Sequence, residues 1–207
     1  MIPVNVLAVR YLASATPTLC RELGAPEDAP CLGLITTDCD DATYIALDEA
    51  TKAAEVQVCF GSSFYAGAAN ASTPNAGEVL GILCATTPGA VRSGMEAALS
   101  ALERIGFDSA GEVPYLAYTV SSCGSFLAKE AGVAEGSALA YLIAPPLESM
   151  YAMDAALKAA DVKLCKLYAP PSPTNFGGGL LTGTRSACAA ACEAFAEAVA
   201  EVAGNPK

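Results

Sequence analysis

The stretch "LDEATKAAEVQVC" (Leu47–Cys59) decides the fold, because the chain carries it twice. It aligns with "MDAALKAADVKLC" (Met153–Cys165), and seven of the thirteen positions are identical: Asp48/Asp154, Ala50/Ala156, Lys52/Lys158, Ala53/Ala159, Ala54/Ala160, Val56/Val162 and Cys59/Cys165. Glu55/Asp161 keeps the charge. Upstream, "LCRELGA" (Leu19–Ala25) pairs with "LAKEAGV" (Leu127–Val133), and "LGLI" (Leu32–Ile35) pairs with "AYLI" (Ala140–Ile143). Between these blocks, the segment around "TTDCDDATY" (Thr36–Tyr44) is two residues longer than its counterpart around "APPLESMY" (Ala144–Tyr151). Downstream, the alanine-rich stretches Arg92–Arg104 and Ser186–Ala203 occupy equivalent places. Self-similarity on this scale means two copies of one domain of about 100 residues, spanning 1–107 and 108–207. Two like units in one chain replace two subunits of a symmetric oligomer, so three such chains would imitate a hexamer.

Within the first copy, hydrophobic pattern gives the elements. Residues 3–12 alternate and read as a strand. Residues 16–24 read as a short helix, with Thr16 or Thr18 as its cap and Gly24 at its end. Residues 31–37 and 42–47 are β-like, and Leu47–Ala54 is a helix leading into the strand "VQVCF". A long Gly/Ser/Asn loop follows, then the strand "VLGILCA" and a helix from Pro88 to Ile105. The order β-α-β-β-α-β, or a permutation of it, makes an α/β (α+β) domain with helices packed on an antiparallel sheet.

Composition narrows the function. Asp+Glu number 22 against 11 Lys+Arg, a net charge of −11. That excludes a nucleic-acid binder, which must neutralise phosphates, and docking on an anionic membrane. The charged fraction is 16%, below the usual value of about 25%. So little polar cover implies that much of the surface is buried against other subunits. The uncharged run Leu167–Thr184 holds three prolines and four glycines and is no spanning helix. The N-terminal "MIPVNVLAVRYLAS" lacks a basic leader and reads as a strand. Nine cysteines without a secretion signal or CxxC spacing point to a reducing compartment, not a disulfide frame or zinc ribbon. Cys188 and Cys192 in "CAAAC" stand one helical turn apart and read as small core residues.

Histidine is absent, which removes the usual general base and the commonest metal ligand. The acids Asp38, Asp40 and Asp41 raise the question of a metal or catalytic site. A calcium loop needs a central glycine, which "DCDDATYIALDE" lacks. A hydrolytic carboxylate pair must face across a substrate, which adjacent acids do not. "GGGLLTG" (Gly177–Gly183) lacks the Gly-Lys-Ser/Thr ending of a phosphate loop. No enzyme, metal or cofactor is expected.

The strings "DCDDATYIALDEATKAAEV", "SFYAGAANAST", "AGEVLGIL", "AYLIAPPLESMYAMDAALKAADV" and "LLTGTRSACAAACEAFAEAV" resemble the tandem-domain bacterial microcompartment shell proteins of ethanolamine utilisation, over nearly the whole chain. The resemblance implies two circularly permuted microcompartment domains per chain and homotrimers shaped as pseudohexameric discs. These discs would tile with neighbouring shell proteins, in the cytoplasm, around encapsulated enzymes. It implies a gated central pore lined by "FYAGAANASTPNAGE" (Phe64–Glu78) and "PPSPTNFGGGL" (Pro170–Leu180). Their pore residues would be Tyr65, Ala66, Gly67, Asn70, Ser72, Asn175, Phe176, Gly177 and Gly178. It also implies a small pore between the domains, where an ethanolamine-like ligand meets Asp40, Asp41, Glu78 and the ring of Phe107. Glycine-rich composition suits moving loops, and loops of such length are uncommon unless functional. Where the family carries Arg-Ser and Ser-Arg-Thr-Gly, this chain has Ser62–Ser63 and "SSCG" (Ser121–Gly124), so the channel is expected to be more negative. The competing reading is a soluble two-domain sensor of small amines.

Overall fold

The computed structural model describes residues 1–64, 77–170 and 172–207. The chain divides into two compact units. The first comprises Val4–Ile105 with Gly124–Phe126, and the second Met1–Pro3, Gly106–Cys123 and Leu127–Lys207.

The first unit runs β1 (Val6–Leu12), α1 (Pro17–Glu22), β2 (Cys31–Thr37), α2 (Asp40–Ala53), β3 (Gln57–Ser63), β4 (Val79–Ala85), α3 (Pro88–Leu102). Its antiparallel sheet has the order β1-β2-β4-β3. One face carries α2 and α3: Gly33 faces Val91 and Met95, and Gly81 faces Leu47. On the other, Leu32, Ile82 and Cys84 pack with Ala15, Cys20, Ala25 and Ala29. Covered on both sides, the central strand β4 is apolar almost throughout. A continuous "VLGILCA" is what a doubly buried strand needs.

Helix starts follow local chemistry. The Thr16, Thr87 and Thr184 hydroxyls accept from the backbone N–H three residues on, and proline fills the first turn after the first two. Gly24 takes φ +72° just beyond α1, the left-handed conformation that ends helices at no steric cost.

The second unit runs β5 (Asp108–Ala110), β6 (Val113–Val120), α4 (Ser125–Ala131), β7 (Ala138–Ala144), α5 (Pro146–Ala159), β8 (Val162–Tyr168), β9 (Gly177–Gly183), α6 (Arg185–Gly204). The first turn of α4 groups with the first unit. The sheet order is β5-β6-β7-β9-β8. Its core joins Met153, Cys188, Ala191, Cys192, Phe195 and Val199 to Leu142 and Leu181. The "CAAAC" cysteines are thus core residues, and all nine cysteines are free thiols. The repeat extends to irregularities. The ladder slips at Cys59, between Val58 and Phe60, and again at Cys165, between Leu164 and Lys166. At the N-terminus, Ile2 N–H donates to the Phe107 carbonyl, and the Met1 ammonium lies 3.1 Å from Asp108. No helix among the described residues is long and apolar enough to cross a membrane.

Three expectations need correction. Residues 42–47 are not a strand: α2 begins at Asp40. "ATYIAL" alternates enough to resemble a strand, but Ala42, Ile45, Ala46 and Ala50 bury a helical stripe. Asp40 and Asp41 also occupy the first turn, where the helix dipole favours acids. The first copy therefore follows β-α-β-α-β-β-α, and the second the same order with the short strand β5 ahead of it. Second, the connection Asp38–Cys39 exceeds Pro145 by one residue, not two. Third, Gly177–Leu180 belong to β9, not to a loop. A β-carbon at Gly178 would sit 1.8 Å from the Leu142 carbonyl oxygen, and one at Gly179 would sit 2.4 Å from that of Lys166. These glycines permit close strand contact.

Gly178 also takes φ +148°, so Gly178→Ala combines strain with a backbone clash. It is expected to lower stability by about 3 kcal/mol or more. At Gly89, in the first turn of α3, a β-carbon would meet nothing within 4 Å, so Gly89→Ala should be neutral or stabilise by up to about 1 kcal/mol. Urea denaturation of the two variants beside the unaltered chain checks both.

Candidate functional site

The site begins where β2 hands over to α2. Thr37 and Thr43 hydroxyls lie 2.7 Å apart, and the Thr37 oxygen also accepts from Cys39 N–H at 3.1 Å. Thr43 donates its hydroxyl to the Cys39 carbonyl at 2.7 Å. This lock fixes the corner and sets Cys39 as the residue before the helix, with no side-chain cap of its own. The helix start is instead served by acids: Asp40 Oδ1 accepts from Asp41 N–H at 2.9 Å.

Asp38 stands apart from its neighbours in role. Its carboxylate accepts from Asn5 N–H at 2.8 Å and from Asn5 Nδ2 at 2.6 Å. Both oxygens are engaged in tying the entry of β1 to the end of β2. Asp40 and Asp41 are only 7% and 8% exposed.

Glu78 joins them from the other side. Its N–H donates to the Thr37 carbonyl at 2.7 Å, and its carbonyl accepts from Phe64 N–H at 2.9 Å. The preceding Gly77 must be glycine, since a β-carbon would come within 2.2 Å of both Thr36 Oγ1 and the Thr37 carbonyl oxygen. Burial, then the charges of Asp40 and Asp38, push the Glu78 carboxyl up to about 7. The Cys39 thiol is pushed up by its own burial and held protonated by Asp41, Asp40 and Glu78, against a backbone hydrogen bond from Ala42. Asp40, Asp41 and Glu78 thus share one electrostatic neighbourhood around Cys39.

The remaining expected residues fall elsewhere. Phe107 belongs to the second unit, where its ring meets Phe176 edge-on at 5.7 Å. Tyr65, Ala66, Gly67, Asn70 and Ser72 lie outside the described residues. Asn175 and Phe176 occupy the short link before β9, Asn175 with φ +64° and Phe176 N–H donating to Ser172 Oγ at 3.0 Å. Gly177 and Gly178 are in β9. No group of three or more metal-ligating side chains among the described residues could hold a metal ion.

One polar face was not anticipated. Along α2, Tyr44, Asp48 and Thr51 share a side, and all three hold Gly124–Phe126. The fully buried Asp48 accepts from Gly124 N–H at 2.7 Å, and Thr51 Oγ1 accepts from Ser125 N–H at 3.2 Å. The Tyr44 ring packs on Phe126, and its hydroxyl lies 2.6 Å from Ser63 Oγ. A β-carbon at Gly124 would come within 2.2 Å of Thr51 Oγ1. The repeat-related Asp154 is exposed and pairs with Lys158. The spacing 44-48-51 was the available signal.

Chemically, the corner offers clustered carboxylates around a buried, protonated thiol. Such a group attracts a small cation with N–H donors, each charge-assisted hydrogen bond contributing about 1.5–3 kcal/mol. The α2 dipole offsets part of the negative potential.

Glu78 gives a pH signature. Its carboxyl ionises at 4.5 ordinarily and at about 7 in the fold, so the folded state holds a proton that the unfolded state releases. The contribution of Glu78 to stability is therefore fullest below 4.5, falls as pH rises to about 7, then levels. Glu78→Gln should remove that decline and be more stable than the unaltered chain at alkaline pH. Denaturant unfolding across this range is the check, and a decline unchanged in the variant would contradict the assignment.

The BMC domain family matches residues 31–114. The bacterial microcompartment shell protein EutL of Clostridium perfringens is 57% identical over 210 residues, covering 100% of this chain and 97% of that protein. Its namesake from Escherichia coli is 48% identical, covering 100% and 96%. The crystal structure of ethanolamine utilization protein EutL from Leptotrichia buccalis superposes with a TM-score of 0.96 at 56% identity, covering 99% of this chain and 96% of that one. Agreement in sequence and fold from end to end makes the kinship plain: the chain belongs to the EutL family of bacterial microcompartment shell proteins.

Proposed function

We propose that this chain is a structural wall element of an ethanolamine-utilisation microcompartment, not a catalyst. Three copies assemble into a disc with six similar units, and discs tile edge to edge with other shell proteins around enclosed enzymes in the cytoplasm. The observation that carries this reading is the full-length relationship to EutL shell proteins. The apolar residues left exposed, Leu164 and Leu167 on the edge strand β8 and Leu147 and Tyr151 on α5, favour an assembly that covers them.

The segments Phe64–Glu78 and Pro170–Leu180 are the candidate lining of a central opening. Asp40, Asp41 and Glu78 are the candidate seat of a small ammonium ligand such as ethanolamine, with Phe107 as its proposed aromatic partner. Three acids with Glu78 half-protonated near neutrality suit weak, reversible occupancy. Binding an ammonium favours the ionised carboxylate, so affinity rises as pH passes upward through about 7.

Two experiments test these readings separately. Electron microscopy of the concentrated protein should show extended flat sheets with sixfold-like packing. Discrete small particles at every concentration would favour the amine-sensor reading. Calorimetric titration with ethanolamine should give heat for the unaltered chain and far less for Asp41→Asn, with the pH dependence lost in Glu78→Gln. Equal heats in all three would remove the acids from the account, and an undiminished heat in Phe107→Ala would remove the ring.

A further inference from the structure

We propose that Cys59 and Cys84 form a redox-active thiol pair within the first unit, able to close into a disulfide by exchange with glutathione disulfide. The pair is created by the β-bulge. Across β3 and β4, Val58 stands opposite Leu83 and Phe60 opposite Ile82, which leaves Cys59 as the extra residue without a cross-strand partner. The bulge turns Cys59 toward the same apolar cluster that holds Cys84, Ile82 and Cys20.

There Cys59 packs against the cluster that contains Cys84, close enough for each thiol to shift the titration of the other. Cys59 also reaches the Ile82 carbonyl at 3.6 Å. Its proton is retained first because of the Cys84 contact and then because of burial, whereas the same contact holds the Cys84 thiol below its ordinary value. Cys59 is half-buried on an edge strand, and Cys84 is buried on the central one. The two thiols therefore have different tasks.

The second unit supplies an internal control. Its ladder slips at the repeat-related Cys165. Gln57 faces Cys84 in the first unit, but the corresponding Lys163 faces Thr182 in the second. The bulge is duplicated and the second thiol is not. Cys165 instead reaches the Lys163 carbonyl, at 3.8 Å.

The chemistry balances as two exchanges. Cys59, the accessible sulfur, attacks one sulfur of glutathione disulfide. The glutathione S–S bond breaks, a Cys59–glutathione disulfide forms, and the departing thiolate takes the Cys59 proton. Cys84 then attacks the Cys59 sulfur and expels the second glutathione as its thiolate, which takes the proton given up by Cys84. Two protein thiols are oxidised, and one glutathione disulfide is reduced to two glutathiones. The retained proton on Cys59 makes the first exchange slow, and the second is intramolecular, between two residues of one cluster.

The test equilibrates the full-length chain in glutathione buffers from reducing to oxidising, blocks free thiols with an alkylating agent and maps peptides by mass spectrometry. A linked Cys59–Cys84 peptide is expected, with two fewer alkylations. The link should be lost in Cys59→Ser and in Cys84→Ser but kept in Cys165→Ser, while Cys165 itself carries at most a glutathione adduct. Phenylarsine oxide, which bridges paired thiols, gives a second readout on the unaltered chain. One equivalent should bind the reduced protein and none the oxidised. A stable glutathione adduct on Cys59, a link to Cys20 instead, or no link at the most oxidising buffer would each overturn the proposal.

Discussion

Helix α2 settles on its sheet where Leu47 meets Gly81, and the rest of the site depends on that contact. A β-carbon at Gly81 would lie 2.6 Å from Leu47 Cδ1. Only a glycine on the central strand lets α2 come so near the sheet. The second unit repeats the arrangement with Met153, whose Cε lies 3.1 Å from the same point at Gly179. Leu47 and Met153 are the first residues of the duplicated stretch, so the contact and the repeat are one fact seen twice. Packing at native density leaves α2 little freedom to slide.

Because α2 is fixed, both of its ends carry consequences. Its first turn places Asp40 and Asp41 beside Cys39, with Asp40 acting on Glu78, at the corner locked by Thr37 and Thr43. Farther along, Tyr44, Asp48 and Thr51 hold Gly124–Phe126. The same helix thus ties a distant stretch of chain to the first unit and gathers negative charge at its start. The helix dipole makes such charge tolerable, and Glu78 relieves what remains by keeping its proton to about pH 7. Acids can therefore be packed almost out of water.

The duplication, both sheets, a threonine cap at Thr16 or Thr18 and the helix end at Gly24 were legible in the sequence, because identities and periodicity are local signals. Two readings failed where one residue type serves two purposes. "ATYIAL" alternates like a strand, yet its burial follows the helical period. "GGG" reads as a loop, yet its glycines admit Leu142 and Lys166 carbonyls in a tight sheet. The acids of the site were visible as a cluster, but the separate task of Asp38 depends on Asn5, thirty-three positions earlier. Asp48 was visible as a repeated identity and through its helical spacing to Tyr44 and Thr51, but its partner was not. Its partner Gly124 is 76 positions away, and no spacing rule reaches that far.

The low fraction of charged residues and the exposed Leu164 and Leu167 favour the proposed assembly, in which copies cover one another. The most direct measurement is the mass of the particle in solution, by light scattering after size exclusion at micromolar concentration. A trimer of about three times 20.9 kDa is predicted. A clean 20.9 kDa monomer that stays monomeric on concentration would contradict the account.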